Sequence, residues 1–419
     1  MKVIADLEVH SKYARAVSPQ MNISTISQWA RRKGIDLVGT GDFTHPMWLR
    51  ELEAGLKEDS EGIYKFNNQK FLLTSEVSCI YSHNGKGRRV HLLIYLPTFD
   101  KVHKFNDELT RKGANLFSDG RPIIGLSLAQ VVEIVLTVES KAIIIPAHVW
   151  TPWFGFYGAM SGYDHLDEAF GNLARYIYAV ETGLSSDPAM NWTIEELKNR
   201  SIVSFSDAHS PAKLGREATI FEIPEISYEN IFNALKQSKI AYTIEFYPEE
   251  GKYHYSGHRN CKVVYSPKDS KTKGNVCPVC GKNLTSGVMS RVKALTVSDI
   301  ESKNEADKFG VRWMKDRKGK RPPYVMLVPL LEIIAESLHS TVSSQKVMAV
   351  YDRLINSFSN EFEILLKTNL TDLKRITTDR VVEGVKRVRS GDIVIDPGYD
   401  GVFGKVKIWK TGIDQETLF

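Results

Sequence analysis

Carboxylate and imidazole groups stand at the ends of successive short apolar runs through the first 250 residues, and this placement constrains the 419-residue chain more than any other feature. The runs are Val3–His10, Leu37–Asp42, Phe71–Glu76, His91–Tyr95, Ala142–His148, Ile177–Glu181, Ile202–His209, Thr219–Ile223 and Ala241–Phe246. They are short and rich in Ile, Val and Leu, and several end on a turn signal, which is the pattern of buried strands. Helical stretches separate them. Ile23–Lys33 is closed by Gly34, and Tyr228–Gln237 follows Ser227 as an N-cap. The alternation predicts an α/β domain with a largely parallel sheet, open or closed, and about 250 residues in one such unit is the size of a barrel.

Such sheets place their chemistry at the C-terminal ends of the strands. Glu8 and His10 lie two residues apart, so both side chains share a face, and Asp207 and His209 repeat the spacing. Asp42, Glu76 and His148 close other runs, and His91 opens one. A lone histidine at a strand end is usually a surface or hydrogen-bonded residue, Asp42 beside Gly41 could shape a turn, and Asp207 could cap a helix. The recurrence is what points to function, because burying so many charges together is costly unless cations hold them. Four imidazoles with four carboxylates suit divalent transition metals, with Mg²⁺ or Mn²⁺ at the oxygen-rich positions and two or three ions in all. Glu76 or Asp207 is able to bridge. The chain has no Gly-rich phosphate loop, no G-x-S-x-G elbow and no cysteine placed as a nucleophile, which leaves metal-activated water and phosphoester hydrolysis as the expected chemistry.

The net charge of +5 averages two unlike parts. Between Lys252 and Arg321 there are 17 Lys and Arg against 6 Asp and Glu, and the remainder is mildly acidic. Periodicity fades in this basic stretch, so another source of order is needed. His258-Arg-Asn-Cys261, followed after fifteen residues by Cys277-Pro-Val-Cys280-Gly281, has the spacing of a zinc ribbon or knuckle. His254 competes with His258 for the fourth position and fits the spacing less well. Cys79 reads as a small buried apolar side chain. A zinc site inside a basic segment suits a reader of phosphate backbone. Arg259, Lys262, Lys282 and Arg291, with Lys386, Arg387 and Arg389 downstream, are the expected nucleic-acid contacts. Tyr253, Tyr255, Tyr265 and Trp313 lie among the charges and are available to stack on bases, with Tyr265 better read as ribbon core.

After Pro322-Pro323 the pattern turns helical, over Val325–Leu338, Gln345–Phe358, Glu361–Lys367 and Leu373–Arg389, with a β-like close around Pro397-Gly398-Tyr399-Asp400-Gly401. The expected domains are residues 1–250, 251–321 and 322–419. Acids in the first ten residues argue against a signal peptide, and the longest apolar run, Tyr324 to Ala335, is too short to span a bilayer. A cytoplasmic protein without membrane contact is expected.

Asp6-Leu7-Glu8-Val9-His10-Ser11, Thr40-Gly41-Asp42, Ser75-Glu76, Val90-His91, Ala147-His148 and Ser206-Asp207-Ala208-His209 resemble, in order, the motifs of the polymerase-and-histidinol-phosphatase (PHP) superfamily. The resemblance implies a PHP-type distorted seven-stranded β/α barrel with a di- or trinuclear metal site for phosphoester hydrolysis. Glu8 and Asp42 stand where the common motifs carry His, and oxygen in place of nitrogen shifts preference toward Mg²⁺ or Mn²⁺. The order of barrel, inserted zinc-ribbon segment and C-terminal helical domain is similar to the endonuclease Q family, as are Gly39 to Pro46, Gly257-His258-Arg259 and Pro397 to Gly401.

That resemblance implies a metal-dependent DNA repair endonuclease that cuts 5′ to a deaminated base (uracil, hypoxanthine or xanthine) or an abasic site, with the target nucleotide flipped out. Glu8, His10, Asp42, Glu76, His91, His148, Asp207 and His209 would hold the Mg²⁺, Mn²⁺ or Zn²⁺ ions, with Asp207, Glu8 and Glu76 as catalytic carboxylates. His258, Cys261, Cys277 and Cys280 would hold one structural Zn²⁺. Damaged double- or single-stranded DNA is the expected partner and a monomer the expected state; recruitment by a sliding clamp or other repair factor is left open. His45 and His83 are read as local or surface residues. A phosphatase acting on a small phosphoester, or a non-catalytic nucleic-acid-binding protein, are the competing readings.

Overall fold

The computed structural model describes residues 1–296 and 301–410. Seven of its strands form a ring. Lys2–Asp6 pairs parallel with Leu37–Gly39, which pairs parallel with Gln69–His83. Gln69–His83 and Lys86–Leu96 form a long antiparallel hairpin, and Ile143–Pro146 joins its second strand antiparallel. Ala179–Glu181 and Ser201–Val203 pair parallel with each other. The ring closes just beyond the strand ends, where Val149 N donates to Glu181 O and His10 N donates to Ala208 O, each at 3.1 Å. The sheet is therefore mixed rather than largely parallel, because the hairpin reverses direction inside the barrel.

The side-chain period of two divides each strand between two cores. Val3, Ala5, Leu37, Leu72, Leu93, Ile143, Ile145, Ala179 and Val203 pack as one cluster with Ile231, Phe232 and Leu235 of the helix Tyr228–Gln237. Val38, Phe71, Leu73, Leu92, Ile94 and Ile144 face the other way, toward the surrounding helices. That second set packs with Ile26 and Ala30 of Ile23–Lys33, which Asn22 caps and Gly34 ends in the left-handed region.

A second arm of the sheet leaves the first strand through Ala218–Glu222 and Ile240–Glu245. It continues through Tyr324–Met326 to Arg312–Asp316 and Ser302–Ala306. The basic stretch is thus partly β-structure, and hydrogen bonds cross the expected boundaries at 250/251 and 321/322. Tyr324–Met326 is a strand, and the expected helix Val325–Leu338 shortens to Leu330–Ser337, with Pro329 at its N-cap. Leu373–Arg389 divides into Leu370–Lys374 and Asp379–Ser390. The loop from Pro397 to Gly401 docks on the ribbon rather than standing free: Tyr255 N donates to Gly398 O at 2.9 Å and Arg259 N to Asp400 Oδ2 at 2.7 Å. Among the described residues no helix is long and apolar enough to cross a membrane.

Candidate active site

The barrel strands deliver their ionisable residues to one end of the ring. Glu8 and His10 follow the first strand, and Asp42 follows the second in a turn that Gly41 makes feasible. A Cβ on Gly41 would lie 2.1 Å from Val9 O, and the backbone there is left-handed. Glu76 and His91 sit within the long hairpin rather than at strand ends. Glu76 pairs with Leu93 and His91 with Ser78, so both side chains share a face with Leu72, Leu93 and Tyr95. Asp42, His148 and Asp207 are held at φ of 48°, 30° and 45°. Left-handed backbone at such residues costs about 1–2 kcal/mol each and gathers at functional sites.

Three sets of ligand atoms lie within bonding reach of a shared ion: Glu8, His10 and Glu76; Glu76, His91 and His148; and His10, Asp207 and His209. Glu76 belongs to two sets. Its Oε2 lies 3.1 Å from His10 Nε2, and its Oε1 lies 2.5 Å from His91 Nδ1 and 3.2 Å from His148 Nε2. Asp207 Oδ1 is 3.2 Å from His10 Nε2 and 3.4 Å from His209 Nδ1. Asp42 belongs to none of the sets. Its oxygens lie 2.9 Å from His10 Nδ1 and accept from Ser11 N at 2.6 Å, which makes it the group that orients His10.

Two residues outside the sequence-derived set complete the cluster. Glu181 is fully buried and accepts from His148 N at 2.6 Å, and Arg121 Nη1 lies 3.1 Å from Glu76 Oε2. Burial opposes ionisation of Glu76, but His91, Arg121 and His10 hold its carboxyl well below the usual range. Burial likewise opposes ionisation of Asp207, which His10 and His209 bring down to about 2. Glu8 goes the other way: burial and then the carboxylates of Glu181, Asp207 and Glu76 push it well above its ordinary value. Both oxygens of Glu8 and Oε1 of Glu181 are buried without a hydrogen-bond partner among the described residues. Carboxylate oxygens packed together and left unsatisfied are a donor set for hard divalent cations, so the residues fit the metals that the fold implies.

A cavity of about 250 Å³ opens beside the cluster, lined by Thr151, Trp153, Ser185, Tyr253 and His254 among others. Thr151 Oγ1 lies 2.8 Å from His148 Nδ1, and Trp153 and Tyr253 meet edge to face at 5.2 Å.

In the ribbon, His258 and Cys261 come from a tight hairpin, Ser256–His258 with Val263–Tyr265, and Cys277 and Cys280 from a turn that Gly281 completes at φ 72°. The four ligand atoms lie within 4.8 Å of one another, close enough for one tetrahedral ion. Burial raises the Cys277 thiol, but backbone N–H groups of Cys280 and Val279 and the neighbouring His258 bring it down to about 6. His254 is outside this group, and its buried Nδ1 has no hydrogen-bond partner among the described residues.

The basic residues divide. Arg259, Lys262, Lys282 and Lys386 are exposed. Arg387 is half-buried and pairs with Glu383 and Asp392. Arg291 is turned inward, donating to Tyr157 O and Tyr163 O, and so fastens the helix Val288–Leu295 to the barrel. Arg389 is 1% exposed and donates to the carbonyls of Leu365, Phe309, Ile364 and Thr368, so it is a structural cap and not a surface cation. Trp313 packs edge to face on Tyr242 and donates to Asp307, and Tyr265 lies in the ribbon core with Val263 and Leu284. His45 stacks on Tyr13, His83 bonds to Tyr163 and Cys79 is fully buried.

The chain is 32% identical to the protein MJ0043 of Methanocaldococcus jannaschii over 264 residues, and spans 31% of that protein's length. Residues 329–392 match the MJ0043 C-terminal domain family. The YqxK protein of Bacillus subtilis is 28% identical over 97% of this chain and 99% of its own. Two solved structures superpose along essentially the whole chain at 32% identity. One is the lesion-specific endonuclease PfuEndoQ of Pyrococcus furiosus, covering 97% of this chain and 95% of that one at a TM-score of 0.82. The other is endonuclease Q in complex with a 27-mer duplex bearing an abasic lesion at the active site, covering 100% of both chains at 0.83.

Proposed function

The chain belongs to the endonuclease Q family, and from that premise we propose that it is a metal-dependent endodeoxyribonuclease of DNA repair, cutting the phosphodiester 5′ to a deaminated base or an abasic site. The observation that carries this reading is the buried cluster in which Glu76 is shared by two ligand sets and Glu8 keeps two unsatisfied oxygens. Glu8, His10, Glu76, His91, His148, Asp207 and His209 would hold the ions. Divalent cations bound there polarise a phosphate, lower the pKa of water and stabilise the leaving oxygen.

The chain's own residues supply the frame. Asp42 fixes the ring of His10 through Nδ1, leaving Nε2 toward Glu76 and Asp207. Arg121 neutralises part of the charge on Glu76. Backbone N–H of His148, donating to Glu181, fixes that carboxylate beside Glu8. The cavity lined by Trp153 and Tyr253 lies next to the cluster through Thr151, and an aromatic lining suits an extruded base. Arg259, Lys262, Lys282 and Lys386 are the exposed cations for the backbone, and His258, Cys261, Cys277 and Cys280 would hold one structural Zn²⁺, which would order the ribbon.

The test is to incubate the protein with end-labelled duplexes carrying one deoxyuridine, deoxyinosine or abasic site, in Mg²⁺ or Mn²⁺, and to map the cut at nucleotide resolution. One nick on the 5′ side of the lesion, absent from the undamaged duplex, is expected. No cut in any divalent metal, or hydrolysis confined to small phosphomonoesters, would overturn the reading.

A further inference from the structure

The loop from Lys112 to Pro122 carries an exposed aromatic side chain at the rim of the catalytic cluster. Phe117 is 66% exposed, while its neighbour Leu116 is buried at 6% and anchors the loop in the main core. The loop is tied down along its length: Gly120 N donates to Tyr13 O and Thr44 Oγ1 to Gly120 O, both at 3.1 Å. Arg15 N donates to Asp119 at 3.1 Å. At its far end Arg121 reaches Glu76, the residue shared by two ligand sets. Phe117 is therefore presented by a fixed support directly continuous with the site.

Behind it stands a column of rings. His45 meets Phe117 edge to face at 6.1 Å, and Tyr13 stacks on His45 at 4.5 Å with 18° between planes. Among the described residues no other ring meets Phe117, which leaves its outer face exposed. The same loop begins at the exposed cations Arg111, which pairs with Glu108, and Lys112, and Asp119 two residues beyond Phe117 holds Arg15, whose side chain is 79% exposed. Three cations and one unpaired aromatic face are the two elements of a single-strand binding platform, charge for phosphate and a ring for a base.

We infer that Phe117 stacks on a nucleobase of the substrate, the one uncovered next to the displaced nucleotide. This rests on the endonuclease reading above, because displacement of one nucleotide is what leaves a neighbouring base without its stacking partner. Phe117 is a positioning residue: its contact holds the strand while the metal cluster acts on the phosphate.

Binding is measured with duplexes that carry 2-aminopurine beside a single abasic site, in Mg²⁺ and in the Asp207→Asn background so that the strand stays intact. Phe117→Ala is expected to weaken binding about 5- to 50-fold, as loss of one base–aromatic stack does. It should also leave 2-aminopurine brighter than with Phe117 present, and Phe117→Trp should restore both affinity and quenching. Unchanged affinity and fluorescence in Phe117→Ala, or failure of Trp to rescue, would overturn the inference, as would an equal loss on undamaged duplex. A parent protein that binds the abasic duplex while Asp207-intact protein never cuts it would sink the endonuclease reading alone, and the Phe117 arm would still be decided by binding.

Discussion

Replacing Arg389 by Met removes a guanidinium that is 1% exposed and leaves its carbonyl partners in place. Three of those hydrogen bonds are fully buried, to Ile364 O at 2.7 Å, Leu365 O at 2.9 Å and Thr368 O at 2.6 Å. Ile364 and Leu365 lie at the C-terminus of the helix Glu361–Leu366, where the last carbonyls have no partner within the helix. Each buried acceptor left unsatisfied costs about 1–3 kcal/mol, and partial relaxation together with the apolar reach of Met returns some of that. The expected loss is about 3–5 kcal/mol, a large share of the roughly 5–15 kcal/mol of a typical domain. Urea denaturation followed by circular dichroism measures it, and hydrogen exchange should show the amides of 361–368 opening first. Lys386→Ala, an exposed position one turn earlier in the helix Asp379–Ser390, is the control and should stay within about 0.5 kcal/mol. An Arg389→Met protein as stable as the parent, but with weaker and less salt-sensitive DNA binding, would refute the capping role and return Arg389 to the DNA surface.

Other outcomes follow from the same geometry. Asp207→Asn should reduce cleavage of an abasic duplex by at least about a thousandfold while changing its affinity less than about threefold; cleavage assays beside fluorescence anisotropy decide it. Cys277→Ala should release zinc, read by mass spectrometry of the native protein, and raise protease sensitivity across 256–285 without unfolding the barrel. Glu245 is fully buried against Ser204, Thr243 and Thr182, and burial raises its carboxyl to about 8. A carboxyl raised on folding contributes stability that is present below its unfolded pKa near 4.5 and lost as pH rises through about 8. Glu245→Gln should therefore be more stable than the parent at pH 8, by up to a few kcal/mol in urea denaturation, with the gap closing toward pH 5. A gap independent of pH would exclude this titration.

Much of the barrel and its site was legible because each strand carries its own signature. Every one of the nine expected runs contains a strand, and Glu8, His10, Glu76, His91, His148, Asp207 and His209 converge. Glu181 was missed although it closes the run Ile177–Glu181 in the same manner; a lone carboxylate at a strand end carries no label until its neighbours are known. Arg121 comes from a loop with no periodicity. The turn of the long hairpin was hidden because its tip, Ser82 to Arg88, carries no apolar side chain and is mostly exposed, so the apolar pattern stops before the strands do. Val325 and Met326 fall inside the expected helix Val325–Leu338 because a short apolar run fits either period, whereas they form a strand with Tyr324. Arg291 and Arg389 were misplaced for a different reason. Sequence reports a cation, and only the fold shows that carbonyl groups were waiting for it.

The junction of Ile240–Glu245 with Tyr324–Met326 bears on how the chain is made. Thr243 pairs with Tyr324 about 80 residues later, and the strand that receives it is already hydrogen-bonded to the barrel on its other side. A ribosome that has released the whole barrel has thus released a sheet whose Ile240–Glu245 edge is open, and that edge stays open until the ribbon and its following strands emerge. At about 5–20 residues per second that interval is several seconds. During it the nascent barrel is an exposed template for pairing with other chains, and a metal ion held by the His258–Cys280 tetrad, as proposed, would shorten the wander of the intervening chain and so act in folding first.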